Sequence, residues 1–287
     1  MPETLRIGNA EILVARDADF RFAPSVFLPS VPKEAWQPFL GGESPEKIEE
    51  SRVNTYVIKS QGKTILVDSG VGAWGLWRFG DGDLLNSLKS IDVAPEDIDF
   101  VLPTHLHVDH VGWNTRPSEN GPVPTFTKAR YLFQKADCDF FTADTPDSWL
   151  NTAQGAGPQM MRVAVIPLKD TGLMDLIGSE RIITDEVTLL HNPGHTPGST
   201  TVLVQSGGEA AMLIGDAAHH SAQLTETDWS PMADIDGDLS ARSRKAVVEQ
   251  AVRLNAYVAG GHFAAKDPSF GRILVMDGKT YWRGVGS

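Results

Sequence analysis

The chain has 287 residues, 41% of them hydrophobic and 22% charged, with a formal net charge of −12. That length suffices for one large or two small globular domains. The acidic balance argues against a nucleic-acid partner or an anionic membrane, since neither finds a basic stripe here. No apolar run approaches the ~20 residues of a spanning helix. Met1–Ile7 lacks the apolar core of a secretory signal, and the default location is therefore cytoplasmic.

In chain order, Leu5–Val14 predicts a strand, a turn and a second strand. Residues 20–50 then change character: prolines at 24, 29, 32, 38 and 45 alternate with Phe27, Trp36 and Phe39. This stretch is too apolar for a linker and too proline-rich for regular structure, so it predicts an extended arm packed on the surface. Val53–Ile58, Gln61-Gly62 and Thr64–Asp68 have the form of a β-hairpin. The layout returns in Thr200–Val204, Gly207-Gly208 and Ala211–Asp216, and both hairpins end in an aspartate followed by small residues. One domain over residues 1–287, made of two related α/β halves that give their strand ends to one cleft, is the expectation.

After Asp68 comes a glycine-rich aromatic loop with Trp74, Trp77 and Phe79. Its rings either line a pocket or tuck into the core, and both readings stand. Leu84–Leu88 and Ala246–Leu254 carry helical spacing, and the second leads into a strand over Tyr257–Ala259. Cys138, the one cysteine, excludes an intramolecular disulfide. Its acidic neighbours do not favour a thiolate, so it reads as a small, partly buried side chain on a helix.

Chemistry concentrates between Thr104 and His110. There His105, His107, Asp109 and His110 follow the apolar run Ile98–Leu102, and Pro103 places them on the loop after that strand. Imidazole and carboxylate are the ligand types that suit zinc and similar metals. Three more groups fall where strands should end: His195 in a loop of glycines and prolines, Asp216 closing the second hairpin, and His262 after Gly260-Gly261. Singly each would be an ordinary turn residue. Together with the cluster they make seven ligands, enough for two metals that share a carboxylate.

The series His105-x-His107-x-Asp109-His110, His195, Asp216, His262 resembles the metallo-β-lactamase superfamily. That resemblance implies a four-layered αβ/βα sandwich with two divalent metals, Zn2+ by default and Mn, Fe or Co as alternatives. By motif, His105, His107 and His195 would hold one metal, Asp109, His110 and His262 the other, and Asp216 would bridge them. Asp68 matches an aspartate that supports the ligands from behind. A hydroxide shared by the metals would then attack an ester, lactone, amide or phosphoester, with Asp109 steering it. A scaffold on a dead hydrolase fold would have lost ligands, and none is missing.

Within the superfamily the chain looks most like lactonases and methyl-parathion-type hydrolases, through Val53–Tyr56, Val111-Gly112-Trp113, Ala129–Phe133 and Gly194–Gly198. A lactonase or carboxylic-ester hydrolase is the first expectation, a phosphotriester hydrolase the alternative. Acyl-homoserine lactonases have a tyrosine three residues after the bridging aspartate, where this chain has His219. His219 either protonates a leaving alkoxide or stands behind the ligands or in solvent. Trp74, Trp77, Phe79 and Trp113 are the expected pocket walls, with Trp229 and Met232 as further candidates, suiting a small, apolar, uncharged substrate. His191 and His220 are assigned structural or surface roles, and a homodimer follows from the resemblance.

Overall fold

In a computed structural model of the chain, residues 3–143 and 157–285 are described. Both ends of the expected 1–287 span and the stretch 144–156 lie outside them. Two seven-stranded sheets form the framework. The first runs β1 (Thr4–Ile7), β2 (Ala10–Phe22), β3 (Glu49–Ser60), β4 (Lys63–Val67), β5 (Phe100–Leu102), β8 (Arg130–Gln134) and β9 (Met174–Ile177). The two-residue strands β6 (Thr115–Arg116) and β7 (Val123–Pro124) pair separately. The second sheet runs β10 (Arg181–Thr184), β11 (Val187–His191), β12 (Thr200–Ser206), β13 (Glu209–Leu213), β14 (Tyr257–Ala259), β15 (Gly271–Met276) and β16 (Lys279–Gly284).

The halves repeat one plan, as the two hairpins suggested. In the first, β2, β3 and β4 are antiparallel and β4 pairs parallel with β5. In the second, β11, β12 and β13 are antiparallel and β13 pairs parallel with β14. Parallel neighbours point their C-terminal ends the same way, so each half brings two such ends to one edge.

Alternation along the strands sorts the core into layers. Ile12, Val14, Tyr56, Ile58, Ile65 and Val67 face Val187, Leu189, Val202, Val204 and Leu213 between the sheets. The other face of the first sheet, with Leu13, Val57, Leu66, Val101 and Tyr131, packs on Leu84, Leu88 and Phe141 of the helices Leu84–Ser90 and Lys135–Thr142. The outer face of the second sheet, with Met212 and Val258, packs on Val247, Val248 and Ala251 of the long helix Gly237–Leu254. The order helix, sheet, sheet, helix is the sandwich expected.

The proline-rich stretch differs from its expectation. Its ends belong to strands, β2 running to Phe22 and β3 starting at Glu49, so the excursion covers residues 23–48. It is not extended: Pro24 opens a helical turn over Pro24–Phe27, and Pro32 precedes another over Lys33–Trp36. Proline fixes φ near the helical value and is tolerated where a helix starts. Leu28, Val31, Trp36 and Leu40 close a small core of their own against Ala222. Among the described residues no helix is long and apolar enough to cross a membrane.

Candidate metal centre

Every chemical residue singled out in the sequence lies just past a strand of this edge. Asp68 follows β4, the His105–His110 loop follows β5, and His195 lies between β11 and β12. Asp216 and His262 follow β13 and β14. The seven side chains converge in two groups: His105, His107, His195 and Asp216, then Asp109, His110 and His262. In each group one ligand atom per residue lies within 4.8 Å of all the others.

The separations within the groups suit a metal. In the first, His105 Nε2 is 2.9 Å from His107 Nδ1, which is 3.0 Å from His195 Nε2. Asp216 Oδ2 stands 3.6 Å from His105 Nε2 and 3.3 Å from His195 Nε2. In the second, His262 Nε2 is 3.2 Å from His110 Nε2 and 3.4 Å from Asp109 Oδ2. Asp216 Oδ1 faces this group, 3.4 Å from His110 Nε2 and 3.2 Å from His262 Nε2. Ligands about 2.0–2.1 Å from a tetrahedral zinc stand about 3.3 Å from one another, so these distances are edges of such a polyhedron. Asp216 Oδ1 is buried and has no hydrogen-bond donor among the described residues. A buried carboxylate oxygen left bare among nitrogens is costly unless a cation completes it. The residues fit two cations sharing one carboxylate.

Burial tunes the ligands. It holds His105 and His107 well below the usual histidine range, so both rings stay neutral and keep a lone pair for a metal. The opposite ring nitrogens of His105, His110, His195 and His262 are anchored. Asp68 Oδ2 is 2.9 Å from His110 Nδ1, while Asp68 also accepts from the backbone N–H of Thr104 at 2.6 Å and its hydroxyl at 3.0 Å. The Thr104 hydroxyl lies 3.2 Å from His105 Nδ1. His262 Nδ1 is 3.0 Å from the Arg52 carbonyl, and His195 Nδ1 is 2.8 Å from Asp234 Oδ1. Such partners fix ring orientation, as metal-ligating imidazoles require. Asp68 has φ of +60°, a conformation uncommon for a side-chain-bearing residue, and its carboxylate gathers three contacts there.

Sequence reasoning missed four supports. Asp137 is buried and accepts from the Leu106 N–H at 3.1 Å, the Thr196 hydroxyl at 2.9 Å and the Gly198 N–H at 2.5 Å. It staples the His105–His110 loop to the His195 loop. Asp17 accepts from the N–H groups of Val71 and Leu84 and from the Trp113 indole at 2.8 Å. A β-bulge between Arg16 and Ala18 turns it inward. Asp234 is the third. The fourth is Arg244, fully buried on the long helix, which donates to the carbonyls of Ala217, Thr227 and Trp229 and to Asp234 at 3.3 Å. Gly194 permits this docking: a Cβ there would stand 2.2 Å from the backbone of Ser240 in the same helix.

The pocket beside the cluster corrects most of the expected walls. It is lined by Phe20, Phe27, Trp77, Val108 and Ala233 with the site residues His107, Asp109, His195, Asp216, His219 and His262. Of the four aromatic walls foreseen, Trp77 alone is among them. The Trp74 indole N–H is drawn away to the Gly112 carbonyl at 3.1 Å, and that of Trp113 to buried Asp17. Phe79 lies against Trp77 with the rings tilted at 57°, partly exposed. Trp229 packs in the arm's core and Met232 faces solvent. The arm supplies the missing wall: the Phe27 ring lies 4.6 Å from His219, while Phe20 of β2 stands edge-on to His262 at 5.2 Å.

His219 is buried, which removes the solvent-facing reading, and its Nε2 lies 2.9 Å from Asp216 Oδ2. His220 is buried too and caps a turn by accepting from the Ala222 N–H, and exposed His191 lies 3.0 Å from the Pro197 carbonyl. Cys138 sits on the helix Lys135–Thr142, its thiol pushed up to about 12 by burial and by Asp137, which leaves it inert.

Two αβ layers back to back, with a histidine and aspartate cluster built for paired cations on their shared edge, define the class of protein. A sequence model described as the Metallo-beta-lactamase superfamily matches residues 48–262. The chain belongs to that superfamily. It is 24% identical to an N-acyl homoserine lactonase of a Bacillus species over 236 residues, 76% of this chain and 84% of that one. It is 26% identical to the N-acyl homoserine lactonase AttM of Azorhizobium caulinodans over 69% of this chain and 70% of that one. Among solved structures, AidC, a dizinc quorum-quenching lactonase in complex with a product, covers all of the chain and 98% of its own at 22% identity, with a TM-score of 0.81. The hydrolase AbOPH, with the same coverage and identity, gives a TM-score of 0.83.

Proposed function

We propose that the protein is a metal-dependent hydrolase that opens lactones or cleaves carboxylic esters. His105, His107 and His195 would hold one divalent cation, Asp109, His110 and His262 the other, and Asp216 both. The observation that carries this is Asp216, whose two oxygens face the two groups separately, one of them bare of any donor among the described residues. Zinc is the metal we assign, on the imidazole-rich donor set and the spacing above. Bound there, the pair would supply Lewis acidity and lower the pKa of a water towards about 7.

The protein's own groups do the rest. Asp109 lines the pocket and offers a carboxylate to orient the attacking water and take its proton. His219, on the same wall, is the group we assign to pass the proton taken by Asp109 on to the leaving alkoxide. Asp68, Thr104, Asp234 and the Arg52 carbonyl hold the rings in register so that no reorganisation is needed during reaction. Phe20, Phe27, Trp77 and Ala233 exclude water and accept a small, uncharged, largely apolar substrate. The relatives named N-acyl homoserine lactonases support a lactone as the first substrate class.

Steady-state kinetics of the zinc-loaded protein on γ-lactones, N-acyl homoserine lactones, aryl esters and aryl phosphotriesters is the test. Lactones and esters should be hydrolysed with higher kcat/KM than phosphotriesters. A fully loaded protein inert to all four would contradict a hydrolase, and a preference for phosphotriesters would replace the acyl reading.

A further inference from the structure

His219, the group assigned above to carry a proton to the leaving alkoxide, is thinly tied at its own ring. Its Nε2 meets Asp216 Oδ2 at 2.9 Å, and its Nδ1 has no partner among the described residues. Asp216 Oδ2 also faces His105 and His195, so this one polar tie is shared with the metal ligands. The other ring contacts are packing, with Phe27 at 4.6 Å, His195 at 4.9 Å and His262 at 5.7 Å. Packing guides orientation less strictly than a hydrogen bond does. A group that delivers a proton loses rate when it is misplaced by about an ångström.

What the ring lacks, the backbone supplies. Gln223 lies in the short helical turn Ser221–Leu224 and is fully buried. Its Oε1 accepts from the backbone N–H groups of His219 at 2.8 Å and His220 at 3.1 Å, and its Nε2 donates to the Trp229 carbonyl at 2.8 Å. With two donors at one end and a carbonyl at the other, the amide has one satisfying orientation. Part of this is a capping box, in which the His220 ring accepts from the Ala222 N–H and Gln223 answers on the His220 N–H. Such a box needs nothing from His219, yet His219 makes the shorter of the two bonds.

The far end of the amide matters as much. The Trp229 carbonyl also accepts from Arg244 at 2.8 Å, Arg244 reaches Asp234, and Asp234 Oδ1 lies 2.8 Å from His195 Nδ1. One carbonyl therefore joins the proton carrier to the frame of a metal ligand.

We infer that Gln223 is a positioning residue for lactone opening: its amide fixes the His219 backbone against the frame that holds His195 and so keeps the imidazole in reach of the leaving oxygen. When the acyl C–O bond breaks, its electron pair goes to that oxygen, which takes the proton from His219. An alkoxide needs that proton, whereas a nitrophenolate leaves as a stable anion without it. Gln223 therefore governs turnover of substrates with poor leaving groups. This rests on the proton-carrying role assigned to His219.

The experiment measures kcat and KM of the zinc-loaded protein, Gln223→Met and His219→Asn on a γ-lactone and on 4-nitrophenyl acetate. Methionine keeps the length of the side chain and removes both polar ends. Expected for Gln223→Met is a fall of about 10–100-fold in kcat for the lactone, with its KM and the aryl ester's kcat within about twofold, at unchanged zinc content. His219→Asn should show the same selectivity with a larger loss. An equal loss on both substrates in Gln223→Met, or none, beside a selective loss in His219→Asn would overturn the inference alone. No selective loss in His219→Asn would sink the proton-carrying role, and the inference with it.

A crystal structure of the unaltered zinc-loaded protein with the hydroxy-acid product guards against a variant that does not fold. Gln223 should hold both N–H groups while the His219 ring lies within hydrogen-bond reach of the released hydroxyl. A product complex in which the ring meets that hydroxyl after Gln223 has let go of the His219 N–H would contradict the positioning role.

Discussion

The two halves hold their share of the metal centre by different electrostatic means. In the first half the supporting carboxylates Asp17, Asp68 and Asp137 collect N–H and O–H donors, with no cation beside Asp17 or Asp137 among their hydrogen-bond partners. Burial pushes both Asp17 and Asp137 up to about 6 in spite of those donors. In the second half Asp234 faces buried Arg244 and His195; burial pulls its pKa up, and these partners outweigh it and hold it below the usual range. The first arrangement suits one contiguous loop, His105–His110, which backbone amides can pin. In the second, one long side chain ties down the stretch after Asp216 through the carbonyls of Ala217, Thr227 and Trp229, and reaches His195 through Asp234.

Removing the group that both halves share should have the largest effect. Asp216→Ala is expected to bring metal content below two per chain and turnover to background; full activity at normal stoichiometry would refute its shared role. Next comes the second half's tie. Arg244→Ala strands Asp234 and three carbonyls, and should cost about 3–5 kcal/mol in chemical denaturation. A loss under about 1 kcal/mol would mean that the helix docks without it.

The contrast in charge gives a pH signature. Asp17 has a folded pKa of about 6 against 3.8 unfolded, so between those values the folded chain binds more protons than the unfolded one. Stability from this group is present below about pH 4, falls as pH rises towards about 6, and is level above, by on the order of 2–3 kcal/mol. Asp17→Asn should flatten that part of the profile in denaturation at pH 4 and pH 7; parallel profiles would contradict it. The smallest effect expected is from the ring anchors. Asp68→Asn and Asp234→Asn should each weaken metal affinity about 10–100-fold, as read by competition with a chelator. Of the ligands Asp234 touches His195, whereas Asp68 reaches His110 directly and His105 through Thr104. Weakened binding of one metal in Asp234→Asn and of both in Asp68→Asn would sharpen the comparison.

Much of this was legible in the sequence because it is local. The hairpin pair carries period-two alternation and turn glycines, and four ligands fall within six positions. His195, Asp216 and His262 were found because each ends a predicted strand. What stayed hidden depends on distant partners. Arg244 looks like a surface charge until its position is read: Ser240, Arg244, Val247, Val248 and Ala251 form the helix's buried stripe, so helical spacing did hold the signal. Asp17 escaped because a bulge breaks the strand's alternation. The aromatic loop misled for a simpler reason. Composition does not say which indole finds an acceptor in the core, and the acceptors of Trp74 and Trp113 lie about 40 and 100 positions away. Phe27 is not legible as a pocket wall because prolines suggest an extended course, where here they start helical turns.

A metal titration tests the central claim most directly. The protein is stripped with a chelator, zinc is added back in steps, and bound metal and lactone turnover are followed together. Turnover should be absent in the stripped protein and reach its plateau at two equivalents bound per chain. Full turnover of the stripped protein, or none with two equivalents bound, would contradict a paired-metal hydrolase.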